Sequence, residues 1–491
     1  GAPTMKVAFV SYEVFPFAKV GGLADVAGAL PKVLKKEGVD VYVFMPKHKI
    51  VEKNSEKYGY DVSKVKENID LPVLRTPEKF SIYQSSIPRS GVPVYMIAND
   101  YYFSAEEVYK GPDLAEQAIF FSNAVLEALK KLNLQPDIIH VNDWQTSLIP
   151  VYLKTVYRED QFFSKTALVL TIHNLGYQGI FDPKYMDFAG LPGYLFNIDG
   201  LEFYGQINFL KGGIMFSDVV NTVSPTYAEE IQTEEYGEKL EGVLRARSRD
   251  LYGILNGIDY EIYNPATDDK IYVNYDIESF EKKWENKVEL QEELKLPVRK
   301  DVAVIGMITR LVDQKGLDIL ADIFEYLTLM DVQFVLLGTG DSKYERMFEE
   351  FARKYPEKVS ANIKFDVTLA QRIYAGADMF LMPSRYEPCG LGQMFSMRYG
   401  TIPVVRYTGG LADSVKEYDP NRKEGTGFGF EEYDSAYLLK ALAKAVHFYY
   451  REKDHWIQLI KNCMSSDFSW ERSASEYIKL YQEALSKRVS G

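Results

Sequence analysis

Arg310 and Lys315 stand in the stretch "GMITRLVDQKG", just past a strand-like run and just before a helix-like one. Arginine offers a planar fork to phosphate oxygens and lysine a compact charge, so the two can converge on one anion such as a departing diphosphate. Two solvated cations beside a helix start are the plainer explanation, but the positive end of the helix dipole disfavours them there. Glu387 lies in "MPSRYEPCGLGQM", a Pro/Gly loop that opens another helix. Beside the N–H groups of Cys389, Gly390 and Leu391, its carboxylate can hold sugar hydroxyls or face a developing cation; an acid at a helix start is also simply favoured by the dipole. Cys389 reads as a small packed residue rather than a nucleophile, since no histidine is near it in sequence. In "KVGGLADV", residues 19–26, Gly21 and Gly22 let the backbone approach a ligand at a helix N-terminus and Lys19 adds a charge, which suits a phosphate. The bland counterpart is a tight turn with a solvated lysine. The same pentapeptide returns in "TGGLADSV", residues 408–415, with no basic residue as close before it, so Gly409 and Gly410 are expected to be structural. "DIIHVNDWQTS" and "VLTIHNLGYQG" put Asp143 with Trp144, and His173 with Asn174, at strand ends. A lone histidine is usually a satisfied structural group, but the strand-end position and the glycine-rich loop behind His173 favour a functional one. Asn256 in "LNGID" either points into a cleft or forms a turn.

Elements of two kinds must hold these groups. Short β-branched runs, "KVAFVSY", "VDVYVFMP", "PVYMIAN", "DIIHVND", "ALVLTIHN", "DVVNTVS" and "LYGILNG", alternate with helical patterns such as 24–36 and 114–132. After a charge-rich passage around 264–300 the alternation restarts with "VAVIGMIT", "VQFVLLGTG", "NIKFD", "MFLMPS" and "TIPVVRY", between helices such as 317–327 and 369–375. Apolar strands interleaved with helices mean parallel sheets covered on both faces. The expectation is an α/β chain of two doubly wound, Rossmann-like domains, residues 1–255 and 256–467, with a helical stretch from about 435 onward. Such sheets bind ligands beyond the carboxyl ends of their strands, and a deep cleft between the domains is the expected site.

A chain of 491 residues exceeds a single core, and 46% apolar with 26% charged residues is the balance of a globular protein rather than a disordered one. The longest apolar stretches, such as "TALVLTI", are far short of the roughly 20 residues of a membrane helix, so no membrane association is expected. Gly1 to Thr4 before Met5 read as an added leader, and no secretory signal is expected. Two cysteines make no disulfide framework or zinc spacing, which points to a reducing compartment, the cytoplasm. A net charge of −13 speaks against a broad nucleic-acid surface. No Asp-x-Asp occurs, "GTGDSK" lacks the third glycine of a dinucleotide fingerprint, and Walker A, HExxH and GxSxG are absent. No metal and no cofactor are expected.

The set "KVGGLADV", "HNLGYQG", "LNGID", "TRLVDQKG", "EPCGLGQM" and "TGGLADSV", in that order, resembles the bacterial glycogen synthases and plant starch synthases, GT-B glycosyltransferases that use ADP-glucose. The likeness runs from Lys6 to about Tyr481. It implies retaining transfer of glucose from ADP-glucose to the non-reducing end of an α-1,4-glucan such as glycogen. By the same resemblance Lys19 lies by the nucleotide sugar, Asp25 positions the donor, Arg310 and Lys315 neutralise the diphosphate, Glu387 faces the glucosyl ring and His173 contacts the sugar. Asp143, Asn256 and Gln314 match further cleft residues, and a final helix at 468–491 is expected to cross back to the first domain. Two positions depart from the family pattern. Val20 replaces a frequent Thr, and Gly392 stands where many relatives carry Thr or Asn, which leaves only its backbone N–H. Retention requires same-face attack, which we favour, or a glycosyl-enzyme on Glu387. Two other readings stand beside this one: a GT-B transferase using UDP-glucose or a small sugar acceptor, and a non-catalytic binding protein, the latter disfavoured by intact Lys19, Arg310, Lys315 and Glu387.

Overall fold

The structure, a computed structural model, describes residues 4–490; the first three residues of the expected leader lie outside that range. Two compact units form, one comprising the chain up to Gly257 together with Trp470 onward, the other Ile258–Ser469. Each joint lies two residues past the position expected from the sequence.

The first unit is built on a nine-stranded sheet in the order Leu251–Gly253, Val219–Thr222, Ala167–Ile172, Ile138–Asn142, Lys6–Val10, Asp40–Pro46, Pro93–Ala98, Lys79–Ser86, Ser63–Asp70. The first seven are parallel and the last two antiparallel. Both faces are covered, because the strand side chains alternate between two cores: Val7 and Phe9 enter one, Ala8 and Val10 the other. The helix Gly22–Lys36 packs on the Val7–Phe9 side through Val26, Ala27, Leu30, Val33 and Leu34, and Trp470, Tyr477, Leu480 and Tyr481 of the C-terminal helix Trp470–Ser490 join the same core. On the other side, Asp113 caps the helix Leu114–Lys131 by accepting the Glu116 N–H.

The two antiparallel strands were not expected. Ser63–Asp70 reads "SKVKENID" and is almost wholly exposed, so it carries no alternating apolar signal; charge on an outermost strand protects an open sheet edge. Expected strand "LYGILNG" is reduced to Leu251–Gly253.

The second unit holds a six-stranded, all-parallel sheet in the order Val359–Asn362, Val332–Leu337, Ala303–Ile308, Met379–Met382, Ile402–Arg406, Phe428–Phe430. Here "NIKFD" is corrected. The strand lies earlier, Phe365 is 84% exposed, and Asp366 leaves the strand pattern to cap the helix Val367–Gly376 through the Leu369 N–H. The helical stretch after 435 consists of Ser435–Arg451, Lys453–Met464 and Trp470–Ser490. Among the described residues, no helix is long and apolar enough to cross a membrane.

Candidate active site

In the second unit Arg310 follows the strand Ala303–Ile308, and Lys315 ends a short turn before the helix Leu317–Thr328. Glu387 follows Met379–Met382 and precedes the helix Gly392–Arg398. Two crossovers of one sheet thus bring the three together. Lys315 Nζ donates to Glu387 Oε2 at 3.0 Å and Oε1 at 3.1 Å, with Glu387 buried, and Ser384 Oγ donates to the same carboxylate at 2.8 Å. A cavity of about 170 Å³ is lined by Thr309, Arg310, Lys315, Ser384, Glu387, Gly390, Leu391 and Gly392, among others. Arg310 is exposed.

Backbone stitching fixes this geometry. The Arg385 N–H donates to the Gln314 carbonyl at 2.8 Å, and Gln314 Nε2 donates to the Tyr386 carbonyl at 3.1 Å, so Gln314 ties the Lys315 turn to the Glu387 loop. The second Gly-Gly-Leu-Ala-Asp copy clamps that loop from the other side. The Gly410 N–H donates to the carbonyls of Glu387 and Pro388, both at 3.0 Å, and a Cβ at Gly410 would stand 1.8 Å from the Cys389 carbonyl oxygen. Gln393 Nε2 adds bonds to the Cys389 and Gly390 carbonyls and to Ser414 Oγ. Cys389 is buried within this clamp and takes part in no disulfide. At Gly392 a Cβ would meet the Phe380 ring at 2.9 Å, so in this chain the ring fills the room that a side chain would need.

The first unit presents a different set. Asp143 directly follows Ile138–Asn142 with φ 62°, a conformation rarely adopted outside glycine. Three bonds hold it there: its N–H donates to the Thr171 carbonyl at 3.0 Å, its Oδ1 accepts the His173 N–H at 2.7 Å, and Ser147 Oγ donates to its carbonyl at 2.6 Å. Burial pushes its carboxyl up to about 7. His173 Nε2 bonds Asn142 Oδ1 at 2.8 Å, and Asn142 Nδ2 donates to the Val10 carbonyl. Because burial lowers His173 to about 4, the ring is neutral near pH 7, with its proton on Nε2 and Nδ1 left to accept. Asn256 is 5% exposed, and its Oδ1 has no partner among the described residues.

In the first Gly-Gly loop the Gly21 N–H donates to Glu13 Oε1, as does the N–H of Val20. Gly22 begins the helix, and Lys19 Nζ bonds both oxygens of Asp25 at 2.8 Å, an exposed pair. Glu13, Tyr109, Asn142 and Ser384 were missed. Glu13 had a signal, since it follows the first strand as Asp143 and His173 follow theirs. Tyr109 had none, because a long irregular connection brings it back to Glu13. Among the described residues, no cluster of His, Cys, Asp and Glu is grouped to hold a metal ion.

The family described as starch synthase catalytic domain matches residues 6–246, and that described as glycosyl transferases group 1 matches 289–461. The chain is 73% identical over 98% of its length to the glycogen synthase of Thermotoga maritima, 99% of which is covered, and 70% identical over 99% to that of Thermosipho africanus, covered in full. A solved structure of the catalytic domain of starch synthase IV from Arabidopsis thaliana, bound to ADP and acarbose, superposes with a TM-score of 0.91 at 33% identity, over 99% of this chain and 100% of that one. Identity of this extent over the whole chain, two Rossmann-like units and a carboxylate and two cations around one cavity together establish that the chain belongs to the glycogen synthase family, glycosyltransferases of the GT-B fold.

Proposed function

We propose that this glycosyltransferase moves glucose from ADP-glucose to the non-reducing end of an α-1,4-glucan with retention, and that Arg310, Lys315 and Glu387 carry the chemistry. The observation that carries the reading is the sharing of one cavity by Glu387, Lys315 and Arg310. Cleaving the anomeric C–O bond builds positive charge on the sugar and negative charge on the diphosphate. Cations already in place stabilise the second, each charge-assisted bond contributing about 1.5–3 kcal/mol, and a fixed carboxylate stabilises the first. The backbone N–H groups along Cys389–Gly392 and the side chain of Gln314 complete the donor side, with no metal ion needed to meet the phosphate charge. ADP as the nucleotide is supported by the ADP-bound starch synthase relative.

On the first unit, neutral His173 offers Nδ1 to a sugar hydroxyl. Asp143, titrating near neutrality, both donates and accepts there. Lys19, Asp25 and Asn256 are assigned to the substrates as well, Asn256 through its unpartnered Oδ1. The acceptor enters on the face that the diphosphate leaves, and a phosphate oxygen takes its proton. We assign the enzyme to the cytoplasm, in keeping with two buried cysteines that form no disulfide.

The test is incubation with glycogen and radiolabelled ADP-glucose or UDP-glucose in the presence of a chelator, followed by NMR of the new linkage. Label entering polymer from ADP-glucose through α-linkages is expected. Label from UDP-glucose alone contradicts the donor, binding without turnover contradicts catalysis, and β-linkages contradict retention.

A further inference from the structure

Glu13 brings a carboxyl group to a place where only 3% of it is exposed. Oε1 accepts the N–H groups of Val20 and Gly21, the latter at 2.8 Å, and Oε2 accepts the hydroxyl of Tyr109. Ser11 Oγ fixes the glutamate's own backbone by donating to its carbonyl at 2.7 Å. No cation pairs with Glu13 among the described residues, and a buried carboxyl group without one is costly to hold. Closing a glycine turn does not demand that cost. The loop it holds has little packing of its own: residues 19–22 are exposed, Val20 to 60%. On one side the chain is tied by the Val14–Ala18 backbone pair at 3.0 and 3.1 Å, on the other by the Phe15 N–H to the Ala24 carbonyl at 3.0 Å. Between those ties, the only side-chain hydrogen bonds to the loop backbone among the described residues come from Glu13.

We infer that Glu13 is a positioning residue for glucosyl transfer: it sets the conformation in which the loop presents Lys19 to the nucleotide sugar, and Tyr109 steadies it. This rests on the role proposed above for Lys19. Asp25 holds the ammonium from the helix while Glu13 holds the backbone, so the lysine is oriented from both ends. A displaced loop would cost donor affinity and leave the glucan side untouched.

The experiment is steady-state kinetics on the full-length enzyme with ADP-glucose and glycogen, comparing E13A, E13Q, Y109F and K19A with the double variants E13A/K19A and Y109F/K19A. E13A is expected to raise the KM for ADP-glucose about tenfold or more while the glycogen KM stays within about twofold. E13Q should stay within about threefold of wild type, since its Oε1 accepts both N–H groups and its amide donates to the Tyr109 oxygen. E13A/K19A should match K19A within about threefold, because the glutamate acts through the loop that Lys19 ends. A glutamate that merely supports the fold would lower kcat, leave KM unchanged and multiply with the loss in K19A; any of these results overturns the inference. Y109F, which removes one bond and no charge, covers the case of E13A failing to fold: about a threefold rise in donor KM that vanishes beside K19A supports the role, and an unchanged KM overturns it. If wild type turns over only UDP-glucose, the same cycle is read with that sugar, so failure of the donor assignment and failure of the loop's role remain distinguishable.

Discussion

Asp143 combines a left-handed backbone, a carboxyl raised to about 7 and an oxygen that accepts the His173 N–H. Between about pH 4 and pH 7 the folded protein keeps a proton that the unfolded chain has released, so folding takes up a proton and stability falls as the pH rises through that window. Replacing the acid by its neutral isostere removes the penalty and keeps the bond to His173. D143N is therefore expected to melt about 4 °C or more above wild type at pH 8, with the two converging as the pH falls toward 4. Parallel melting curves across the range would contradict the buried acid. At this scale the sequence was informative wherever a polar residue closely follows an apolar strand, as Asp143, His173 and Arg310 do. Partnership was not legible: that Lys19 pairs with Asp25, and that Glu13 takes the Gly21 N–H, follows from loop paths that no local pattern encodes.

The repeated Gly-Gly-Leu-Ala-Asp shows how far an element can be read from its letters. Both copies open helices after a strand, as similar turns in similar sheets require. The first is gripped by a side chain, Glu13. The second grips, bringing the Gly410 N–H to the Glu387 carbonyl and leaving no space for a methyl group. G410A should accordingly lower kcat by about 10²-fold or more, since the loop carrying Glu387 must shift by an ångström-scale distance; steady-state rates at saturating donor and glycogen measure it, and a loss below about threefold would refute the clamp. The C-terminal helix illustrates the opposite case, a structural contact reaching toward the site strands. Tyr481 bonds His140 Nδ1 at 2.7 Å, His140 Nε2 bonds Thr171 Oγ1 at 2.6 Å, and Thr171 lies on the strand that ends just before His173. Y481F leaves a buried ring nitrogen unsatisfied and is expected to destabilise the first unit by about 1–3 kcal/mol in denaturant melts, with substrate KM values unchanged. Elements with a periodic buried face were readable; the edge strand 63–70 was not, because charge at a sheet edge erases the period.

Across the whole molecule, each unit presents its chemistry just past the ends of its own strands: the cations and Glu387 on one, Asp143, His173 and the Glu13-held loop on the other. Two doubly wound units could be read from two runs of strand–helix alternation, and the family from six short motifs in order. What composition could not reveal is the pairing of Lys315 with Glu387. Their separation along the chain hides a contact that the parallel order of the second sheet creates. Glucosyl transfer in this protein depends on that pair acting on a nucleotide sugar. The most direct measurement is the turnover of K315A and E387A, each shown to be folded by its melting transition, in transfer of labelled glucose from ADP-glucose to glycogen. Both are expected to lose at least about 10²-fold in kcat, the scale of removing a preorganised electrostatic group. Near-normal turnover in both would contradict the assignment of this cavity as the site of glucosyl transfer.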